Sequence, residues 1–380
     1  YKSEVTTRVF EETRQAVLKF VRGNQSSFTA IFLKNTTEGI NKLSYRLRSK
    51  NAKTLVLATG MEHHSNDLPW RNKYKVEYVN TDSLGRLCLE DLDLRLSRNK
   101  GKVKLVAVTG ASNVTGYVNP VHQIAAMAHG AGAEILVDGA QLIPHSPFSM
   151  GNPNSPDYID YLVFSAHKMY APFGSGVLIG PNDTFAQGDP EYSGGGTIQG
   201  VTHDLVLWAD PPHRDEAGTP NIMGVLALNT ALQTLSAITM QKVFSWELKL
   251  ADYALKSMRT IPNLIIYAHP GQPQAGIAVI PFNINGIHHK LTARILADEA
   301  GIATRSGCFC AQPYVHKLLG LSAKEVSLSI RAGASRPGMV RISFGLYNTF
   351  QEVNIFLECL ARIANNRQYF LSKYSGITLE

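Results

Sequence analysis

PVHQIAAMAHGAGAEILVDG, residues 120–139, decides how this chain folds. Residues 120–132 read as a helix, and AEILVDG (133–139) as a short apolar strand that ends on the acid Asp138. The same alternation runs in both directions. TAIFLK (29–34), KTLVLAT (53–59), KVEYVN (75–80) and VKLVAVT (103–109) read as strands upstream, and YLVFSA (161–166) and GVLIG (176–180) downstream. Residues 36–49 read as a helix, and residues 3–22 as an amphipathic one. Apolar strands alternating with helices predict an α/β fold with a large, mostly parallel sheet covered on both faces.

Farther along, Gly194–Pro220 is rich in Gly, Pro and Asp and reads as a long loop. Residues 221–260 read as helical. From about 264 the chain becomes denser in short strands (LIIYA, GIAVIPF, GIATRS, MVRISF), with helices at 289–300 and 350–366. The expected organisation is a large α/β domain over 1–260, opening with the helix of 1–22, and a smaller C-terminal α+β domain over 261–380.

Composition narrows the function classes. The chain is 44% apolar and 18% charged, as ordinary globular proteins are. No apolar run approaches the roughly 18 residues of a membrane span. The formal charge is +7, but Lys and Arg are scattered, which argues against a nucleic-acid surface and for anionic ligands. Four cysteines in 380 residues are no disulfide scaffold, and YKSEVTTRVF is no secretory signal. A reducing, cytoplasmic compartment is the expectation.

Several segments together meet the needs of a pyridoxal 5′-phosphate site. VFSAHKMYAPFGSG (163–176) places Ser165, His167 and Lys168 between a strand and a Gly-containing turn. Lys168 is then the Schiff-base lysine, with Ser165 and His167 as phosphate donors; the plain alternative is a surface lysine. Asp138 leaves a strand where ligands bind in open sheets, and an unpaired buried acid is costly. A protonated pyridine nitrogen would give it a partner; otherwise it caps a turn. One further βα unit and a strand separate Asp138 from Lys168. Thr36 and Thr37, in NTTEGIN (35–41), open a helix and suit a phosphate or serve as an ordinary N-cap. In MEHHSNDLPW (61–70), His63 or His64 is placed to stack on a ring; a surface pair is the alternative, and a metal site lacks a third ligand.

The ordered run T-T-E-G-I-N, E-H-H-S-N-x-L-P-W, S-N-V-x-G, V-D-G-A-Q, S-x-H-K-x-Y-x-P-x-G and E-A-G-T-P-N resembles the class V aminotransferase superfamily over about residues 1–366. Within it the chain looks most like SufS-type cysteine desulfurases and the desulfurase domain of molybdenum cofactor sulfurases. The resemblance implies the fold type I of pyridoxal phosphate-dependent transferases, Lys168 as the Schiff-base lysine and Asp138 as the partner of the pyridine nitrogen. It implies that Gln141 bonds the ring hydroxyl, that His63 stacks, and that Thr36, Thr37, Ser165 and His167 hold the phosphate. Asn113 would face cofactor and substrate. Thr219 would reach the phosphate of a neighbouring subunit, making a homodimer. A further strand before the N-terminal helix is also implied.

GIATRSGCFCAQPY (301–314) carries R-x-G-x-x-C as Arg305, Gly307 and Cys310. By resemblance Cys310 is a nucleophile for substrate sulfur, in a mobile exposed loop near positive charge. The C-F-C pattern with Cys308 looks most like the cofactor sulfurases; an inert loop cysteine is the alternative. Arg341, in MVRISFGLYNT (339–349), would clamp the substrate carboxylate. Two departures stand out: Gly110 lies where the family often has His, and thirty residues, 311–340, separate Cys310 from Arg341. The expected activity is a cysteine desulfurase, taking L-cysteine or a derivative to alanine with sulfur left on Cys310 and passed to an acceptor protein. The alternatives are another class V enzyme (a C–S β-lyase, epimerase or aminotransferase) without need of Cys310, and a scaffold that keeps only the fold.

Overall fold

The computed structural model describes residues 2–48, 54–268, 276–331 and 336–376. Lys53 of the strand expected over 53–59, and Ser49 at the end of the helix expected over 36–49, lie outside the described residues. The chain forms two compact units. Residues 1–80, 88–110 and 119–240 make the first, and 81–87, 111–118 and 241–380 the second.

The first unit is built on seven strands: β1 (Phe28–Leu33), β2 (Leu55–Thr59), β3 (Lys75–Val79), β4 (Val103–Thr109), β5 (Glu134–Asp138), β6 (Tyr161–Ser165) and β7 (Gly176–Pro181). Their order is β1-β7-β6-β5-β4-β2-β3. The pairs β2/β3, β2/β4, β4/β5 and β5/β6 are parallel. β7 alone runs against its neighbours β1 and β6. Only residues 166–175 join β6 to β7, too few for the crossover of a dozen or more that a parallel return needs. β1 to β6 therefore all point one way, and their C-terminal ends share one edge of the sheet.

β1, β2 and β6 are buried along their whole length, as strands covered on both faces must be. Ile31, Val56, Leu105, Leu136, Val163 and Leu178 meet Trp70 and Phe185 in one core cluster. The helix Thr36–Arg46 follows β1 at the C-terminal edge, capped by Asn35, whose side chain accepts the Glu38 N–H. The expected long loop of 194–220 contains a small hairpin, β8 (Ile198–Val201) and β9 (Val206–Trp208), closed by Thr202 N–H donating to Leu205 O. Its strands, four and three residues long, are too short to stand out in the sequence. The helical stretch of 221–260 is two helices, Ile222–Ile238 and Met240–Met258, parted where Thr239 takes a φ of 75°.

The second unit has an antiparallel sheet of β10 (Leu264–Ile266), β11 (Val279–Ile284), β12 (Arg305–Gly307) and β13 (Met339–Ser343), ordered β10-β11-β13-β12. Helices His289–Ala300 and Phe350–Asn365 belong to it, the latter opened by a capping box of Thr349 and Glu352. Leu250, Ala254, Leu255 and Met258 pack with Ile280, Phe282, Ile295 and Phe356 in its core. The division thus falls near Met240 rather than at 260, because the apolar face of the helix Met240–Met258 belongs to this core. Residues 81–87 and 111–118 also belong here, although far away in sequence. Tyr314 Oη donates to Gly85 O (2.6 Å) and Ile277 N–H to Gly116 O (2.8 Å). Helices Gln312–Leu318 and Ala323–Arg331 fill much of the stretch between Cys310 and Arg341.

At Gly176 the first unit brings two backbones close. A Cβ there would lie 2.8 Å from Asn35 Cα and 3.0 Å from Phe164 O, backbone atoms with little freedom to give. Gly176→Ala should therefore push the N-terminus of the helix Thr36–Arg46 off the sheet edge and cost roughly 1–3 kcal/mol. Urea unfolding followed by circular dichroism checks this; an unshifted midpoint would contradict it.

Candidate active site

Three groups of expected residues come together at the C-terminal strand edge of the first unit. Thr36 N–H donates to Ser165 Oγ at 2.9 Å, and the Thr36 and Ser165 hydroxyls lie 2.8 Å apart. Both residues are buried. The parallel direction of β1 and β6, with β7 between them, brings residues 129 apart in sequence into contact. A helix N-terminus with two hydroxyls is a donor set suited to a phosphate.

The second group is Thr37, Ser65 and His63. Thr37 Oγ1 lies 2.7 Å from Ser65 Oγ, which lies 2.9 Å from His63 Nδ1. Ser65 N–H donates to the same Nδ1 at 3.1 Å, so His63 caps the turn His64–Asn66. With Nδ1 accepting, a neutral His63 carries its proton on Nε2. The ring is thus fixed by its own turn and half-buried.

The third group is Asp138 and Lys168. Asp138 is only 3% exposed, and its Oδ1 accepts the Ala140 N–H at 3.0 Å. Burial raises its pKa, while the Ala140 hydrogen bond and the charge of Lys168 oppose the rise. Lys168 is half-buried in the turn Ala166–Met169 that follows β6. Gln141 is half-buried in the turn after β5, and His167 is exposed beside Lys168. Thr219 stands apart from these groups. It is exposed on a loop anchored by Glu216, whose carboxylate takes two 2.7 Å hydrogen bonds from Arg14 and one from Phe32 N–H.

The sequence reading missed Glu62. This carboxyl accepts from Thr59 Oγ1 (2.5 Å), Asn66 Nδ2 (2.7 Å) and Thr109 N–H (2.8 Å), tying the ends of β2 and β4 to the His63 turn. Burial pushes its pKa up to about 8 against those three donors, and the neighbouring Asp138 charge adds to the rise. The available signal was an acid directly behind the apolar run LVLATGM. Gly110 also has its reason. A Cβ there would lie 2.7 Å from Leu142 Cδ2 and 3.2 Å from Val137 Cγ1, so a histidine does not fit.

The second unit carries the remaining residues. Arg305 and Arg341 are cross-strand partners on β12 and β13. Arg305 is exposed; burial, and next the charge of Arg305, lower the Arg341 pKa to about 10. Arg341 Nη1 donates to Asn113 O at 2.6 Å, and its guanidinium lies 5.3 Å from the centroid of the Phe309 ring. Its Nε is buried without a hydrogen-bond partner among the described residues, a donor available to an anion. Asn113 Nδ2 donates to Phe309 O at 2.7 Å.

After β12 comes a tight turn in which Ala311 N–H donates to Cys308 O (2.8 Å) and both central residues have positive φ, Phe309 at 51° and Cys310 at 56°. That pattern belongs to the turn type that favours Gly and Asn, and each non-glycine residue there costs about 1–2 kcal/mol. Phe309 is 5% exposed, whereas Cys310 is exposed. Cys310 thus stands on the exposed side of a turn whose preceding residue is buried. Cys308 is half-buried, its thiol donating to Pro337 O at 3.1 Å, and burial raises its pKa. All four cysteines are free thiols.

The chain matches the family model "Aminotransferase class-V" over residues 2–356. It is 34% identical to a probable cysteine desulfurase of a Synechocystis species, over 93% of this chain and 80% of that one. It is 35% identical to a cysteine desulfurase of an Enterobacter species, over 95% and 84%. Among solved structures it resembles the apo cysteine desulfurase of Thermococcus onnurineus, with a TM-score of 0.84 and 31% identity over 96% of this chain and 86% of that one.

Glu62 gives the site a pH signature. Its folded pKa is raised, so on unfolding the carboxyl ionises from about pH 4.5, whereas in the folded chain it does so near 8. Its contribution to stability is complete below pH 4.5, falls as pH rises toward 8 and is level above. Glu62→Gln removes that loss, so its stability should decline less between pH 5 and pH 8, by roughly 1–3 kcal/mol. Parallel urea titrations at the two pH values check this; identical pH dependence in both proteins would contradict it.

Proposed function

The chain belongs to the class-V aminotransferase family, and from that premise we propose that it is a pyridoxal 5′-phosphate-dependent cysteine desulfurase, taking L-cysteine or a close derivative to alanine. The observation that carries the reading is Cys310, an exposed thiol three residues beyond a strand that pairs Arg305 with Arg341. Named cysteine desulfurases that align along almost the whole chain support it.

The residues of the first unit fit the cofactor. Thr36, Thr37, Ser165 and His167 would hold its phosphate, and Lys168 would be its covalent anchor. Buried Asp138 would keep a proton on the pyridine nitrogen, Gln141 would bond the ring hydroxyl, and His63 would pack on the ring. Asp138 is what makes the pocket suit the cofactor: an acid 3% exposed, with its pKa raised by burial, would be relieved by a cationic ring nitrogen. When bound, the cofactor supplies an electron sink for the substrate carbon frame.

The chain's own groups do the rest. Arg341 takes the substrate carboxylate with its spare Nε and guanidinium fork, and Asn113 and Arg305 border the substrate. Lys168 Nζ would move a proton at the substrate Cα. Cys310 Sγ, as thiolate, attacks the substrate sulfur. An S–S bond forms on Cys310 as the substrate Cβ–S bond breaks, and a proton delivered to Cβ completes alanine. The persulfide then passes to an acceptor protein. Thr219, exposed on its loop, reaches the phosphate site of a second copy in a homodimer.

Cys310→Ser tests the reading. The variant should still hold the cofactor and bind cysteine but lose alanine formation, because a neutral hydroxyl is a far weaker nucleophile than a thiolate. After incubation with cysteine, mass spectrometry should find one added sulfur, about 32 Da, on Cys310 of the parent protein and none on the variant. Cys308→Ser should be much milder. If Cys310→Ser forms product as fast as the parent, the desulfurase reading falls and a C–S β-lyase that makes pyruvate takes its place.

A further inference from the structure

The turn that carries Cys310 is an unfavourable one for its sequence. Phe309 and Cys310 both occupy the left-handed region, at φ of 51° and 56°, where bulky side chains are rare. Such a conformation persists only when its surroundings over-determine it. The surroundings here are specific to Phe309. Its ring is buried with the Arg341 guanidinium 5.3 Å from the centroid, and its carbonyl is held by Asn113 Nδ2 at 2.7 Å. Asn113 O in turn accepts from Arg341 Nη1 at 2.6 Å. Phe309, Asn113 and Arg341 thus close a three-membered ring of contacts around the residue next to the thiol. The Cys310 side chain itself is exposed and borrows its place from that anchor.

We infer that Phe309 is a positioning residue for Cys310: its clasp by Arg341 and Asn113 holds the thiol in a tight left-handed turn and ties that turn to the arginine that receives the substrate carboxylate. The inference rests on Cys310 being the nucleophile. It places the gain of the clasp in the step in which the thiol meets substrate sulfur, rather than in cofactor or substrate binding. An aromatic ring at position 309 is required because it both fills the buried site and gives the guanidinium a π face.

The test uses the cofactor-loaded enzyme. Phe309→Ala should lower kcat for alanine formation about tenfold or more while raising KM for cysteine less than about threefold, with the cofactor absorbance unchanged. Hydrogen exchange of the Ala311 amide, which closes the turn, should accelerate about tenfold. Phe309→Tyr, which keeps the ring, should restore kcat to within about threefold of the parent. If the Ala variant fails to retain cofactor, Phe309→Leu should show the same split. A kcat within twofold of the parent, a rise in KM that matches the fall in kcat, or an Ala311 amide that exchanges at the parent rate would each overturn the inference. The exchange measurement needs no turnover. Cys310→Ser assayed alongside therefore separates a failed clasp from a failed assignment of the nucleophile.

Discussion

A buried acid needs a counter-charge, and Asp138 sets that requirement for the first unit. At 3% exposure its pKa is raised by burial, and the charge of Lys168 pulls it back. The parallel pairing of β5 and β6 makes this possible, because both strands end at the same edge and release their next residues there. β1, parallel to them across the reversed β7, delivers the N-terminus of the helix Thr36–Arg46 to the same edge, where Thr36 meets Ser165. Glu62 and the His63 turn complete the edge from the β2 side. The chemistry of this unit thus follows from one topological fact: six strands run one way and their ends converge.

The second unit solves a different problem, that of presenting a thiol without burying it. Cys310 stays exposed, so its position depends on the buried residue before it. The cost of two residues in the left-handed region is offset by the aromatic–guanidinium contact and the Asn113 hydrogen bond to Phe309 O. Arg341 takes part in that anchor and still has a buried Nε, without a hydrogen-bond partner among the described residues, to offer an anion. Cys308, half-buried with its thiol directed to Pro337 O, is placed as a packing residue beside the turn.

Much of this was legible in the sequence because it is local. Strand β4 spans the residues expected, and β5, β6 and β7 lie within a residue or two, since each is a short apolar run between turn signals. Asp138 and Lys168 were readable as residues that follow apolar runs, but the βα unit expected between them is absent: loop and turns lead from β5 straight to β6. The hidden features depend on contacts distant in sequence. Glu62 looks like an ordinary acid until Thr59, Asn66 and Thr109 close around it. Residues 81–87 and 111–118 join the second unit through Tyr314 and Ile277, partners that no local pattern announces. Phe309 reads as a spacer between two cysteines, and only its φ and its buried ring reveal an anchor. The β8–β9 hairpin was lost in a polar, Gly-rich stretch.

The central claim is that sulfur leaves cysteine by transfer to a thiol rather than by elimination. It is tested most directly by incubating the cofactor-loaded protein with L-cysteine and measuring alanine, sulfide and pyruvate together. The account predicts alanine in step with sulfur transferred, and no pyruvate. Pyruvate and ammonia formed in step with sulfide, with alanine absent, would contradict it.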